Sequence, residues 1–134
     1  MSRTNDKIDE IVRYLGELGD IAPDTFNKYK NNLEKKAACE RYFEKIVESV
    51  TDLAFSVITT KKFEIPEDDI GAFDILLKNK VIKEELASKL KNAKGMRNII
   101  SHQYGKVDDE IVFEAITKEL DGDVKKFVKI VKNI

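Results

Sequence analysis

An all-α fold, an antiparallel up-and-down bundle of four to five helices, is what this sequence predicts, and three observations predict it. Turn-forming residues are scarce: two Pro and six Gly in 134 residues, so the elements between turns must be long. Those long stretches are rich in Glu, Lys, Leu, Ile and Ala, the side chains that lose least on entering a helix. Apolar residues recur at intervals of three and four, and strand-like alternation is absent. The length fits one domain over residues 1–134 with one core.

The first helix is expected from about Asp6 to Leu18, with Ile8, Ile11, Val12, Leu15 and Leu18 on one face and Gly19 as its stop. After Pro23 a long pattern runs from about Thr25 to Thr59. Phe26, Leu33, Ala37, Phe43, Val47, Val50, Ala54 and Val57 trace its stripe, and its length predicts a break near residues 31–36. Lys61 to Ile65 read as a connection. Pro66 suits a first helical turn, with Glu67, Asp68 and Asp69 at the positive helix end. Ile70, Phe73, Leu76 and Leu77 make a short third helix, and a fourth runs from about Lys83 to Ser101. Asp108 has the character of an N-cap for the last helix, which Gly122 is expected to loosen.

Hydrophobic residues at 42% and charged residues at 37% describe a globular chain with a heavily charged surface. Its single cysteine, Cys39, cannot close an intrachain disulfide. No apolar run approaches the roughly 20 residues needed to cross a bilayer. A cytoplasmic protein without a membrane role is therefore expected. The net charge of −1 hides an uneven distribution: residues 78–106 hold eight Lys or Arg against two Glu, and residues 107–123 hold seven acids against Lys118 alone. Lys94 and Lys106, with Lys89 and Lys91, could guide a polyanion, although a charged helix face is ordinarily just solvated. One His, one Cys and scattered acids offer no metal cluster, and no cofactor is expected.

The fourth helix carries the anomaly. Leu86, Leu90, Ala93, Arg97, Ile100 and Tyr104 share one stripe, so a guanidinium sits where an apolar residue belongs. It needs an anion there. Two readings stand: an internal ion pair, with Glu40 as the candidate partner because it too interrupts an apolar stripe, or a site for a bound anion. His102 is the only histidine. It is either a capping side chain or a proton-transfer group working near neutral pH. On a regular helix, five residues separate Arg97 and His102 by about 140°. They converge only if the helix ends near Ser101, helped by Gly105, or if two copies of the site meet across a two-fold axis.

The segment Arg97-Asn98-x-x-x-His102-x-Tyr104 resembles the signature of the HEPN superfamily in its HepT-like form. Met96 before it, Val107-Asp108-Asp109-Glu110 after it and Cys39-Glu40-Arg41 in the second helix agree with that pattern. The resemblance implies a homodimeric bundle with the two Arg/His motifs near the dimer cleft. It implies a metal-independent endoribonuclease toxin of the type VII class, leaving a 2′,3′-cyclic phosphate. Arg97 would bind the scissile phosphate and His102 act as general acid or base. Asn98 would orient the pair or contact phosphate, with Ser101, Glu40 and Arg41 in support. It further implies an MntA-like nucleotidyltransferase antitoxin as partner, with Tyr104 as acceptor of AMP. An AMP-modified Tyr104 would place phosphates beside Arg97 and His102 and block RNA. The competing reading is a bundle of the same shape that cleaves nothing and serves as the binding subunit of the nucleotidyltransferase.

Overall fold

The computed structural model describes residues 2–102 and 107–134. Helix α1 spans Ser2–Ile21, α2 Phe26–Lys30, α3 Leu33–Lys61, α4 Asp69–Lys78, α5 Glu84–His102, α6 Asp109–Glu114 and α7 Leu120–Lys132. A π-helical turn, Ala115–Glu119, joins α6 to α7 without a loop. No strand occurs among the described residues. None of their helices is long and apolar enough to cross a membrane.

Helix α3 is the spine. Its 29 residues extend about 44 Å at 1.5 Å each, and α1, α4 and α5 all pack on it. Cross-links give the directions. From α1 to α3 the bonds run Thr4 to Ser56, Lys7 to Asp52 and Glu17 to Tyr42. From α5 to α3 they run Arg97 to Glu48 and Ser101 to Glu44. One index falls as the other rises in both sets, so both helices lie antiparallel to the spine. The core between them holds Ile11, Ile46, Leu53, Phe73, Leu76 and Phe127, all fully buried. Phe73 of α4 meets Phe127 of α7 edge to face at 6.3 Å.

Helix ends follow from their residues. The expected break falls at Asn31–Asn32, where Asn32 caps α3 by accepting from the Lys35 amide at 3.0 Å. Asp108 caps α6 as expected, accepting from the Glu110 and Ile111 amides at 3.1 and 3.3 Å. Asp108→Ala removes that cap and should lower stability by about 1 kcal/mol, measurable as a lower midpoint in urea with an unchanged slope. An unchanged midpoint would mean the cap contributes nothing.

Several expectations are corrected. Helix α1 begins earlier and runs through Gly19 to Ile21. Pro23 ends it instead, because the residue before a proline is pushed out of the helical region. Pro66 lies ahead of α4, whose cap is Asp68, accepting from the Gly71 amide at 2.7 Å. Leu33 is 77% exposed and Ala37 is exposed too, because within α3 they stand about 80–120° around the helix from the buried Phe43. Gly122 sits inside α7, and the irregularity lies at the π-turn before it.

Candidate active site

Three motif residues, Arg97, Asn98 and the terminal His102, lie on α5 with Ser101 between them, whereas Tyr104 of the motif, with Gly105 and Lys106 after it, lies outside the described residues. Leu86, Leu90 and Ile100 of the same helix are buried, and they clamp α5 onto α3 and fix its rotation. Arg97 consequently enters the α3–α5 seam with its side chain only 19% exposed.

Its partner is Glu48, and the expectation of Glu40 is corrected. The Arg97 Nη2 donates to Glu48 Oε2 at 3.0 Å. Glu40 lies two turns earlier on α3, where it accepts from Lys36 at 3.2 Å, and Lys36 also reaches Asp109 at 3.3 Å. Burial pulls the Lys36 ammonium down, but the Glu40 hydrogen bond and the two carboxylates outweigh it and hold the ammonium above its usual range. That clasp ties the start of α3 to α6, well away from Arg97.

The Arg97 guanidinium is unevenly used. Nη1 points to Asn98 Oδ1 at a long 3.4 Å, beyond the usual range of a strong N–H···O bond. Nε is buried without a hydrogen-bond partner among the described residues, an arrangement that costs about 1–3 kcal/mol. The structure tolerates this cost to keep the cation at the seam. One turn on, the Ser101 hydroxyl donates to Glu44. Arg97 and Ser101 on α5 thus face Glu48 and Glu44 on α3, rung against rung.

His102 is the last residue of α5 and is exposed. The helix does not release it early, so Arg97 and His102 leave the cylinder about 140° apart. Arg41 is exposed on α3, and Cys39 beside it is buried, with burial pushing its thiol up.

The lysine expectation is corrected as well. Lys94 is buried, with its ammonium 3.2 Å from Asp69 of α4. Burial and that ion pair take it off the surface a polyanion would meet. Lys89 pairs with Glu85 and Asp123, and Lys91 with Asp74. A cleft of about 650 Å³ opens between the start of α1 and the end of α3, lined by Arg3, Lys7, Asp52 and Ser56 among others, and none of Arg97, Asn98, Ser101 and His102 lines it. Among the described residues no group of His, Cys, Asp and Glu could hold a metal ion.

Sequence reasoning missed Glu44 and Glu48. Their signal was present: Glu40, Glu44, Glu48 and Asp52 recur at every fourth position, an acidic row beside the apolar stripe of α3. Which member meets Arg97 depends on the α3–α5 register, and that only the packed structure supplies.

The family model described as "Ribonuclease HepT-like" matches residues 6–131. A protein of Shewanella oneidensis named "mRNA nuclease HepT" is 24% identical over 126 residues, covering 94% of this chain and 93% of that protein. A "tRNA nuclease HepT" of Aphanizomenon flos-aquae is 26% identical over 111 residues, covering 83% and 76% respectively. Among solved structures, the tri-AMPylated Shewanella oneidensis HEPN toxin in complex with MNT antitoxin superposes with a TM-score of 0.92 at 23% identity, over 98% of this chain and 97% of that one.

Proposed function

The chain belongs to the ribonuclease HepT-like family, and from that premise we propose that it is an endoribonuclease toxin whose motif residues cleave RNA through a 2′,3′-cyclic phosphate. The observation that carries the reading is the state of Arg97. It is a cation held in an apolar stripe by one exposed carboxylate, with one donor only loosely engaged. Such a guanidinium has capacity left for a phosphate. Arg97 neutralises the scissile phosphate, His102 moves a proton near neutral pH, and Asn98 gives up its long contact as phosphate arrives. Ser101 holds the turn before His102 against Glu44.

The divergence of Arg97 and His102 around α5 favours a homodimer, in which a second copy brings its motif to the same cleft. The partner in this proposal is an MntA-like nucleotidyltransferase, a reading supported by the MNT antitoxin in the Shewanella complex, and Tyr104 is the acceptor of AMP. Phosphates added there would lie within two residues of His102 and compete with RNA for Arg97.

Purified, unmodified protein should cut RNA in a chelator-containing buffer. Arg97→Ala and His102→Ala should each lose about 10²- to 10⁴-fold while keeping the wild-type melting curve and the dimer mass in light scattering. A folded dimer that leaves transfer, messenger and ribosomal RNA intact would instead identify a non-catalytic subunit of the nucleotidyltransferase.

A further inference from the structure

Transesterification of RNA moves two protons. One leaves the ribose 2′-hydroxyl as its oxygen attacks phosphorus, and one arrives at the 5′-oxygen as the P–O5′ bond breaks. The chain has one imidazole, and it leaves α5 about 140° away from the phosphate-binding candidate Arg97. The proton carriers that face Arg97 and Ser101 across the seam are carboxylates of α3. Glu44 is half-buried and occupied by the Ser101 hydroxyl. Glu48 sits on the Arg97 guanidinium itself, with its side chain 54% exposed.

Resting on the ribonuclease reading and its homodimer, we propose that Glu48 is the general base of the reaction and that His102, brought to the cleft by the second copy, is left as the general acid. A phosphate bound at Arg97 takes Nη1, where the Asn98 contact is long, and leaves Nη2 on Glu48. One planar guanidinium then holds a phosphate and a carboxylate side by side, and its charge offsets their mutual repulsion. In an attacking conformation the 2′-oxygen stands about 3–3.5 Å from phosphorus, which brings its hydroxyl within reach of that carboxylate.

Glu48 takes the 2′-hydroxyl proton, and the freed O2′ electron pair forms the O2′–P bond. The P–O5′ bond breaks, and the 5′-oxygen leaves with the proton of protonated His102. The products are a 2′,3′-cyclic phosphate and a 5′-hydroxyl. Glu48 ends neutral and His102 ends neutral, and exchange with water resets both. Charged groups of the described residues surround Glu48. Arg97 faces it from α5, and Lys94 one turn earlier is tied to Asp69 of α4. Glu44, Lys45 and Asp52 flank it on α3, and Lys7 of α1 is bound to Asp52.

The test uses two substrates across a pH range: an oligoribonucleotide, and nucleoside 3′-(4-nitrophenyl phosphates) of all four bases, whose leaving group departs unprotonated. Glu48→Gln should lower kcat on both by about 10²- to 10³-fold and flatten the acid limb of the kcat/KM profile. Glu48→Asp should keep that limb. His102→Ala should lose the oligonucleotide and retain the activated esters. A Glu48→Gln profile reduced uniformly, with its acid limb intact, would make Glu48 only a positioning residue for Arg97 and overturn the assignment. So would rescue of Glu48→Gln by the activated esters, which would make it the acid. Wild-type protein inactive on every substrate sinks the ribonuclease reading itself, and this assignment with it, before any variant is made. The melting curve of Glu48→Gln confirms the fold on which each comparison depends.

Discussion

Arg97→Lys should lower kcat/KM for RNA about a hundredfold or more while moving the melting temperature by no more than a few degrees. Lysine keeps the charge and loses the fork. Arg97 works through separate donors: Nη2 on Glu48 of α3 and Nη1 toward Asn98 of its own helix. An ammonium cannot hold a carboxylate and a phosphate at the fixed spacing that a planar group imposes. Stability is little affected because lysine keeps a cation opposite the half-exposed Glu48 carboxylate, so neither charge is left without its partner in the seam. Steady-state cleavage of a fluorogenic oligoribonucleotide, run beside a thermal melt, checks both halves. A fully active lysine variant would reduce Arg97 to a point charge and remove the geometric reason for its place in the seam.

The largest loss of stability is expected at Phe73→Ala, about 3–5 kcal/mol, a substantial share of the 5–15 kcal/mol that holds a typical domain together. Phe73 is fully buried and meets Phe127 edge to face. Its removal opens a hole where α4 meets α7, and the rigid α3 spine behind it has little freedom to collapse inward. Urea denaturation followed by far-ultraviolet circular dichroism gives the difference directly. A loss below about 1 kcal/mol, a value typical of surface changes, would mean that α4 is not packed as described.

What the sequence makes legible is periodic, and what it hides is relational. The α4 and α5 spans, the break at Asn31–Asn32 and the Asp108 cap follow from spacing and from capping chemistry within a few residues. The anomaly of Arg97 is equally visible, because a cation on an apolar stripe contradicts its neighbours. The identity of its counter-ion is not. Glu40 and Glu48 both lie on the acidic row of α3, and sequence alone carries no measure of how far α5 slides along α3 before Leu86, Leu90 and Ile100 lock. The fate of the lysines is hidden for the same reason: Lys94 reads as surface charge until α4 brings Asp69 against it.

The π-turn at Ala115–Glu119 bears on a different matter. Phe113, Ile116, Leu120, Val124, Phe127 and Val131 form one unbroken α-helical stripe in the sequence. A π-turn admits an extra residue, which offsets the helix beyond it by about 100°. One stripe on paper becomes two orientations in space: α6 leans on α2, whereas α7 leans on α5. The turn acts as an indexing joint inside a single rod. It lets consecutive halves of one helix pack on different partners in the bundle, and it does so without a loop whose closure would cost entropy.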